Sequence, residues 1–226
     1  MTYWISDMRD TGVGGLAALL QRTQWRASDA APALAGGVAM GLYDPNPLVR
    51  MHAVRAAHAL NPDATADQQA SAIGELALSE QHPVVRSILI DQLWFTIREA
   101  APTVDAVLEL LVGMDNTVLA DPNHEPAGVV LALVTHLALV ARTPFAAETV
   151  QRWCQDAPVH ATLVEAFTRH ARDYLAAAGT TEQRTAFELL DTAARSVLKR
   201  WTRTPTEHLA GTTLPPERVL CNRVIT

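Results

Sequence analysis

Apolar residues recur at intervals of three and four through most of the chain, and prolines and short polar clusters cut that pattern into helix-sized pieces. After Pro47, the residues Val49, Ala53, Ala57 and Leu60 fall on one stripe; after Pro83, Val85, Leu89, Leu93 and Thr96 take the corresponding places. A period near 3.6 is the mark of an amphipathic helix that buries one face. Proline suits the first helical turn, where a missing N–H costs nothing. The prolines at 32, 45, 47, 62, 83, 102, 122, 126, 144 and 158 therefore predict helices near residues 13–23, 29–42, 46–60, 65–79, 83–100, 102–113, 126–142, 145–156, 158–178 and 181–202. No run of alternating strands interrupts them. Asp29, Asp44 and Thr65 are expected as N-caps, and Thr180-Thr181-Glu182-Gln183 as a capping sequence.

A second pattern lies over the first. Asp44-Pro45-Asn46-Pro47-Leu48-Val49-Arg50 returns as Glu80-Gln81-His82-Pro83-Val84-Val85-Arg86, an interval of 36 residues from Pro47 to Pro83. Periods of roughly 20 to 50 residues mark repeat arrays, whose units cannot bury their apolar faces alone and must stack. A third unit is expected from Asp121-Pro122-Asn123, although two extra residues precede Pro126 and no arginine follows. Its helix carries Val and Leu almost all round, which predicts burial on most sides. Beyond Pro158 the repeat fades and only helical periodicity remains.

The placement of Asp44, Val49 and Arg50, echoed by Glu80, Val85 and Arg86, resembles the HEAT-repeat proteins over about residues 28–100. The resemblance implies an all-α fold, an α-solenoid of stacked antiparallel helix pairs in an ARM-type superhelix. It also implies a polar ladder between repeats, formed here by Asp44, Arg50, Glu80 and Arg86, with glutamate at 80 in place of the usual aspartate. The second helix of each pair would line a concave face. Residues 1–203 are then one helical-repeat domain. Residues 204–226, with three prolines among the first thirteen, form either a tail that docks on the array or the start of a truncated further helix.

Composition narrows the partners. Of 226 residues, 49% are hydrophobic and only 5% aromatic, so Ala, Leu and Val must supply a core suited to close helix packing. Residues 1–120 carry seven arginines against thirteen acids, a net of -6, whereas residues 121–226 carry eleven of each. An acidic front half opposes a phosphate backbone, so nucleic acid is a disfavoured partner. Arginine carries the positive charge, and Lys199 is the single lysine. Cys154 and Cys221 do not make a disulfide framework or a Cys-x-x-Cys site. The N-terminus lacks the basic start and apolar stretch of a secretion signal. The longest apolar run, Val129 to Ala141, falls short of the roughly 20 residues needed to cross a bilayer. The expectation is a soluble, cytoplasmic chain.

Helical geometry, at 100° per residue, turns Arg55 and His58 away from the Val49 stripe, and Asp91, Trp94 and Arg98 away from the Val85 stripe. Arg55 aligns with Asp91, and His58 with Trp94, as a candidate partner-binding surface. The plainer reading of Trp94 is a cover for the neighbouring helix pair, with the charges solvated. Arg195, Lys199, Arg200 and Arg203 form a basic strip near Trp201, either a grip for phosphate or an acidic partner, or a response to the helix dipole.

No reaction chemistry assembles. His52 and His58 lie about 120° apart on one helix, a poor pair for a metal. His124-Glu125 resembles a His-Glu pair of HEAT-like iron hydroxylases, which need several. Cys154 and His160 could form a nucleophile and base, but Pro158 separates them and no third group orients them. Gly12, Gly14 and Gly15 lack the strand and lysine of a phosphate loop. No metal or cofactor is expected. The leading expectation is a non-catalytic module that holds a protein or peptide. A HEAT-like alkylpurine DNA glycosylase, echoed by Asp91, Trp94 and Arg98, is the alternative. Self-association through Trp4 and the apolar stretch from Val219 to Ile225 is a third.

Overall fold

A computed structural model describes residues 8–61, 63–114, 119 and 126–203, and all regular structure among them is helical. The chain divides into two compact units, Met1–Met114 and Asp115–Thr226. The expected third repeat start at 121–125, the tail at 204–226 and the residues around Trp4 lie outside the described residues.

The first unit contains α1 (Met8–Leu20), the single turn α2 (Thr23–Arg26), α3 (Ala31–Gly41), α4 (Pro47–Val54), α5 (Ala66–Ser79), α6 (Pro83–Gln92) and α7 (Ala101–Met114). Helix α1 packs on α3 and α4, α3 on α4, and α4 on α6; α5 packs on both α6 and α7. Ala17 and Leu20 of α1, Leu34 and Val38 of α3, and Ala53, Ala56 and Ala59 at and beyond the end of α4 form one buried cluster. Alanines dominate it because a methyl group lets helix axes approach closely.

Local chemistry explains most helix starts. Pro47 and Pro83 each occupy the first turn of their helix. Thr65 and Gln68 make a reciprocal capping box before α5, Oγ1 accepting from Gln68 N at 3.3 Å and Gln68 Oε1 from Thr65 N at 2.9 Å. Two expected caps are corrected. Helix α4 is capped by Asn46, whose Oδ1 accepts from Leu48 N at 3.0 Å, while Asp44 accepts from the N–H of Asn46 itself at 2.8 Å. Helix α3 starts after Ala30 without a side-chain cap, so Asp29 does not serve it; Pro32 in its first turn already lacks one of the donors a cap would satisfy.

The expected helices 46–60 and 83–100 are each interrupted. Helix α4 ends at Val54 and is followed by a 3₁₀ turn at Ala57–Ala59; α6 ends at Gln92 and tightens into a 3₁₀ turn at Leu93–Phe95. After α4 two residues, Arg55 and Ala56, separate the helix from its 3₁₀ turn, and there the buried stripe moves. Ala56 and Ala59 are buried where Ala57 and Leu60 were expected, and both of those are only half-buried. In the following unit Val85, Leu89, Leu93 and Thr96 are all buried. Thr96 satisfies its hydroxyl by donating to Leu93 O at 3.0 Å, a side-chain bond that competes with continued helix.

The second unit contains α8 (Ala127–His136), which widens into a π turn at Leu137–Ala141, then α9 (Pro144–Gln155), α10 (Ala161–Ala176) and α11 (Thr181–Arg203). Helix α10 packs on α8, α9 and α11, and α11 on α9. Val130, Leu131, Leu133, Val134 and Leu137 are all fully buried, as the all-round apolar pattern of this helix predicts. Arg142, at a φ of 54°, closes the π turn with its N–H on Leu137 O at 2.6 Å. Thr180 Oγ1 accepts from Gln183 N at 3.1 Å and Gln183 Oε1 accepts from Gly179 N at 2.8 Å, which starts α11. His136 Nδ1 lies 2.7 Å from the hydroxyl of Tyr174. Burial holds the His136 imidazole below the usual histidine value; His170 is lowered by burial and then by the charge on Arg169.

Two outcomes follow from this packing. Gly74 of α5 faces Val107 of α7 so closely that an added Cβ would meet the Val107 Cγ2 at 2.5 Å and Cβ at 3.3 Å. Gly74→Ala gains about 1 kcal/mol of helix propensity but overpacks at a cost of about 1–3 kcal/mol. Urea denaturation should read a net loss of stability, and the cost should shrink in a Val107→Ala background. In the second unit, unfolded histidines bind protons below pH about 6.5 while His136 and His170 resist them, so stability is lost as pH falls from that value. The drop in urea midpoint between about pH 7 and about pH 5.5 should be smaller in the His136→Gln/His170→Gln variant.

Candidate functional site

Where α4 and α6 end in their 3₁₀ turns, the backbone presents polar side chains that the straight helices would have spread around their circumference. His58, in the first of these turns, sets its Nδ1 2.8 Å from Oε1 of the buried Gln92. Its ring stacks on Phe95 in the second turn, with centroids 4.1 Å apart and planes inclined by 14°. Phe95 nevertheless remains 63% exposed. Gln21, just after α1, donates Nε2 to the carbonyl of Arg55 at 2.7 Å. Gln69 on α5 donates to the carbonyls of Ala64 at 3.2 Å and Asn61 at 3.3 Å. These groups, with Arg26 and Asp91, line a cleft of about 670 Å³.

Of the five residues expected on this surface, Arg55, His58 and Asp91 meet at the cleft, while Trp94 and Arg98 are absent from its lining. Trp94 is half-buried and engaged within the fold, and the exposed ring is its neighbour. The 36-residue offset pairs His58 with position 94, but its ring stacks on the next side chain, Phe95. Leu93-Trp94-Phe95 held the signal, since three consecutive bulky residues cannot share one buried stripe. Gln21, Arg26, Gln69 and Gln92 carried no comparable signal; they converge only through the tertiary fold.

A second cleft, of about 310 Å³, lies beside the repeated turns and is lined by Tyr43, Leu76 and Leu89 together with the charged residues of those turns. Arg50 donates Nε to Glu80 Oε2 at 2.8 Å and Nη2 to Oε1 at 3.0 Å, while its Nη1 reaches the carbonyls of Asp44 at 2.8 Å and Pro45 at 3.2 Å. Arg86 repeats the backbone part, donating Nε to the carbonyl of Glu80 at 2.8 Å. Glu80 Oε1 accepts from His82 N at 2.7 Å, as Asp44 does from Asn46. Arg9, outside the repeated segment, donates to Asp44 Oδ2 at 3.0 Å. Burial alone would raise the Glu80 carboxyl, but the hydrogen bond from Arg50, the N–H of His82, the charge on Arg50 and the N–H of Gln81 together hold it below the usual value. Here the charges satisfy one another and offer little to a ligand.

The remaining candidates are dispersed. Arg195, Lys199 and Arg200 are exposed on the last turns of α11, with Arg195 Nε paired to Asp191 Oδ2 at 2.7 Å; the side chains of Trp201 and Arg203 lie outside the described residues. Cys154 is fully buried, and that burial pushes its thiol up to about 12, which makes it a packing group and not a nucleophile. His160 stands before α10 as its N-cap residue. Among the described residues no three His, Cys, Asp or Glu side chains converge as a metal site would require; His124-Glu125 falls outside them. No single described helix is long and apolar enough to cross a membrane. Comparison with protein-family models, with curated proteins and with solved structures found no match to this chain.

The Arg50–Glu80 pair can be measured. Its side chains are only 18% and 10% exposed, so removing either partner strands a poorly hydrated charge. Arg50→Ala and Glu80→Ala should each cost about 2–4 kcal/mol, and the double variant should cost less than their sum by about 1–3 kcal/mol in urea unfolding. A carboxyl lowered in the folded state contributes stability above its unfolded pKa of about 4.5 and loses it as pH falls through the folded value. Glu80→Gln should remove that part of the acid dependence.

Proposed function

We propose that this chain is a helical-repeat interaction module of the α-solenoid kind, and that it holds a protein or peptide in the cleft at the ends of α4 and α6. The observation that carries this reading is the cleft itself, whose walls are fixed by internal hydrogen bonds while an aromatic ring and a guanidinium remain open to solvent. Exposed aromatic and arginine side chains in a preformed recess are the usual anchors of protein interfaces. The solenoid part draws support from the packing of α4 on α6 and of α5 on α7, and from equivalent bonds made by Arg50 and Arg86 at successive turns. Asp91 alone of the Asp91, Trp94 and Arg98 set lines the cleft, and the front half is acidic, so the DNA glycosylase reading has less support.

Peptides selected from a display library on the wild-type protein should lose about tenfold or more in affinity on Phe95→Ala and on Arg55→Ala. Leu198→Ala, a change at an exposed site on α11, should leave binding intact. Equal binding to wild type and to both cleft variants would remove this surface from consideration.

A further inference from the structure

The charges of the first unit leave one cation at the cleft unmatched. Arg9 is taken by Asp44 and Arg50 by Glu80, and Arg86 binds backbone carbonyl. The acid in the cleft lining, Asp91, already has a partner in the fold. Arg55 differs, because among the described residues no hydrogen bond or ion pair engages its guanidinium; only its backbone is used, the N–H by donating to Ala53 O and the carbonyl by accepting from Gln21. Arg55 lies in a half of the chain where acids outnumber arginines thirteen to seven, so an anion is drawn to this recess by the local guanidinium and not by the net charge around it. Phe95, the exposed ring in the same lining, has one face covered by His58, which Gln92 holds in place. The cleft therefore offers a fixed flat apolar surface and a planar two-pronged donor within one recess.

From this we infer that the occupant is an acidic peptide segment, with a side-chain carboxylate on Arg55 and an adjacent apolar or aromatic side chain against Phe95. The inference rests on the peptide-binding reading proposed above. A guanidinium matches a carboxylate in a bidentate pair that an amide cannot reproduce. The amides of Gln21 and Gln69 keep their oxygen atoms available to accept peptide N–H groups, since their nitrogens donate to backbone. A nucleotide could also use a ring and an arginine, but Asp91 in the lining and the acidic surroundings favour a singly charged carboxylate over a phosphate.

The test compares two pools of fluorescein-labelled random peptides, one with glutamate fixed at its centre and one with glutamine there, by fluorescence polarisation against the full chain. The glutamate pool should bind about tenfold more tightly, the effect expected of one charge-assisted bond, and added salt should narrow the gap. Arg55→Gln should erase the difference between pools, and Phe95→Ala should weaken both; both positions are solvent-exposed, and circular dichroism checks that helicity is kept. Equal binding of the two pools overturns the acidic preference while leaving peptide binding in place. Binding of neither pool overturns both readings. Displacement of the glutamate pool by adenosine monophosphate, lost with Arg55→Gln, assigns the cleft to a nucleotide and also overturns the inference.

Discussion

A guanidinium that reaches back six residues along its own chain and also forward to the next turn is the constraint on which the first unit depends. Arg50 closes the loop before α4 by binding the carbonyls of Asp44 and Pro45, and the same group clamps the carboxylate of Glu80 ahead of α6. Because Glu80 also accepts from the N–H of His82, the loop before α6 is held at the same time. One side chain thus ties the starting points of two adjacent helices together. Hydrophobic stripes alone would fix which faces meet, but sliding one helix along another leaves much of that burial unchanged. A directional charge-assisted bond has no such freedom.

Fixing the starts of α4 and α6 has its effect at their other ends. Both helices are short, ten residues or fewer, and both tighten before stopping. Once their beginnings are aligned, the two 3₁₀ turns fall side by side, and His58 and Phe95 stack across them. The Arg50–Glu80 clamp at the helix starts and the cleft at the helix ends are therefore two consequences of the same alignment. The small residues around them, Ala53, Ala56 and Ala59, allow the axes to close without displacing either end.

What could be read from the residues divides along physical lines. Several helix starts were legible because their chemistry is local: Pro47, Pro83, Thr65, and Thr180 with Gln183 act within four residues, whereas neither Asp29 nor Asp44 caps the helix expected of it. Burial of α8 was legible because Val and Leu occupy nearly its whole circumference. Helix ends were not, since the change at Leu93–Phe95 depends on which residues are covered by neighbours and on the hydroxyl of Thr96 bonding backwards. The aromatic group at the cleft is accordingly Phe95 and not the expected Trp94. Arg9 was invisible for a different reason: its bond to Asp44 spans 35 positions and lies outside the repeated segment. Arg26, Gln21 and Gln69 likewise owe their convergence to packing of α1 on α2 and α4 and of α5 on the turn after α4, which no spacing rule encodes.

The distribution of reactive groups has a practical side. The single lysine of the chain, Lys199, stands exposed on α11 in the second unit, and the buried thiol of Cys154 is shielded from reagents. Amine-directed coupling through a side chain therefore has one address, which places a surface, a dye or a bulky tag on the second unit. No group lining the α4–α6 cleft carries a primary amine, and its chemistry would survive such attachment unaltered.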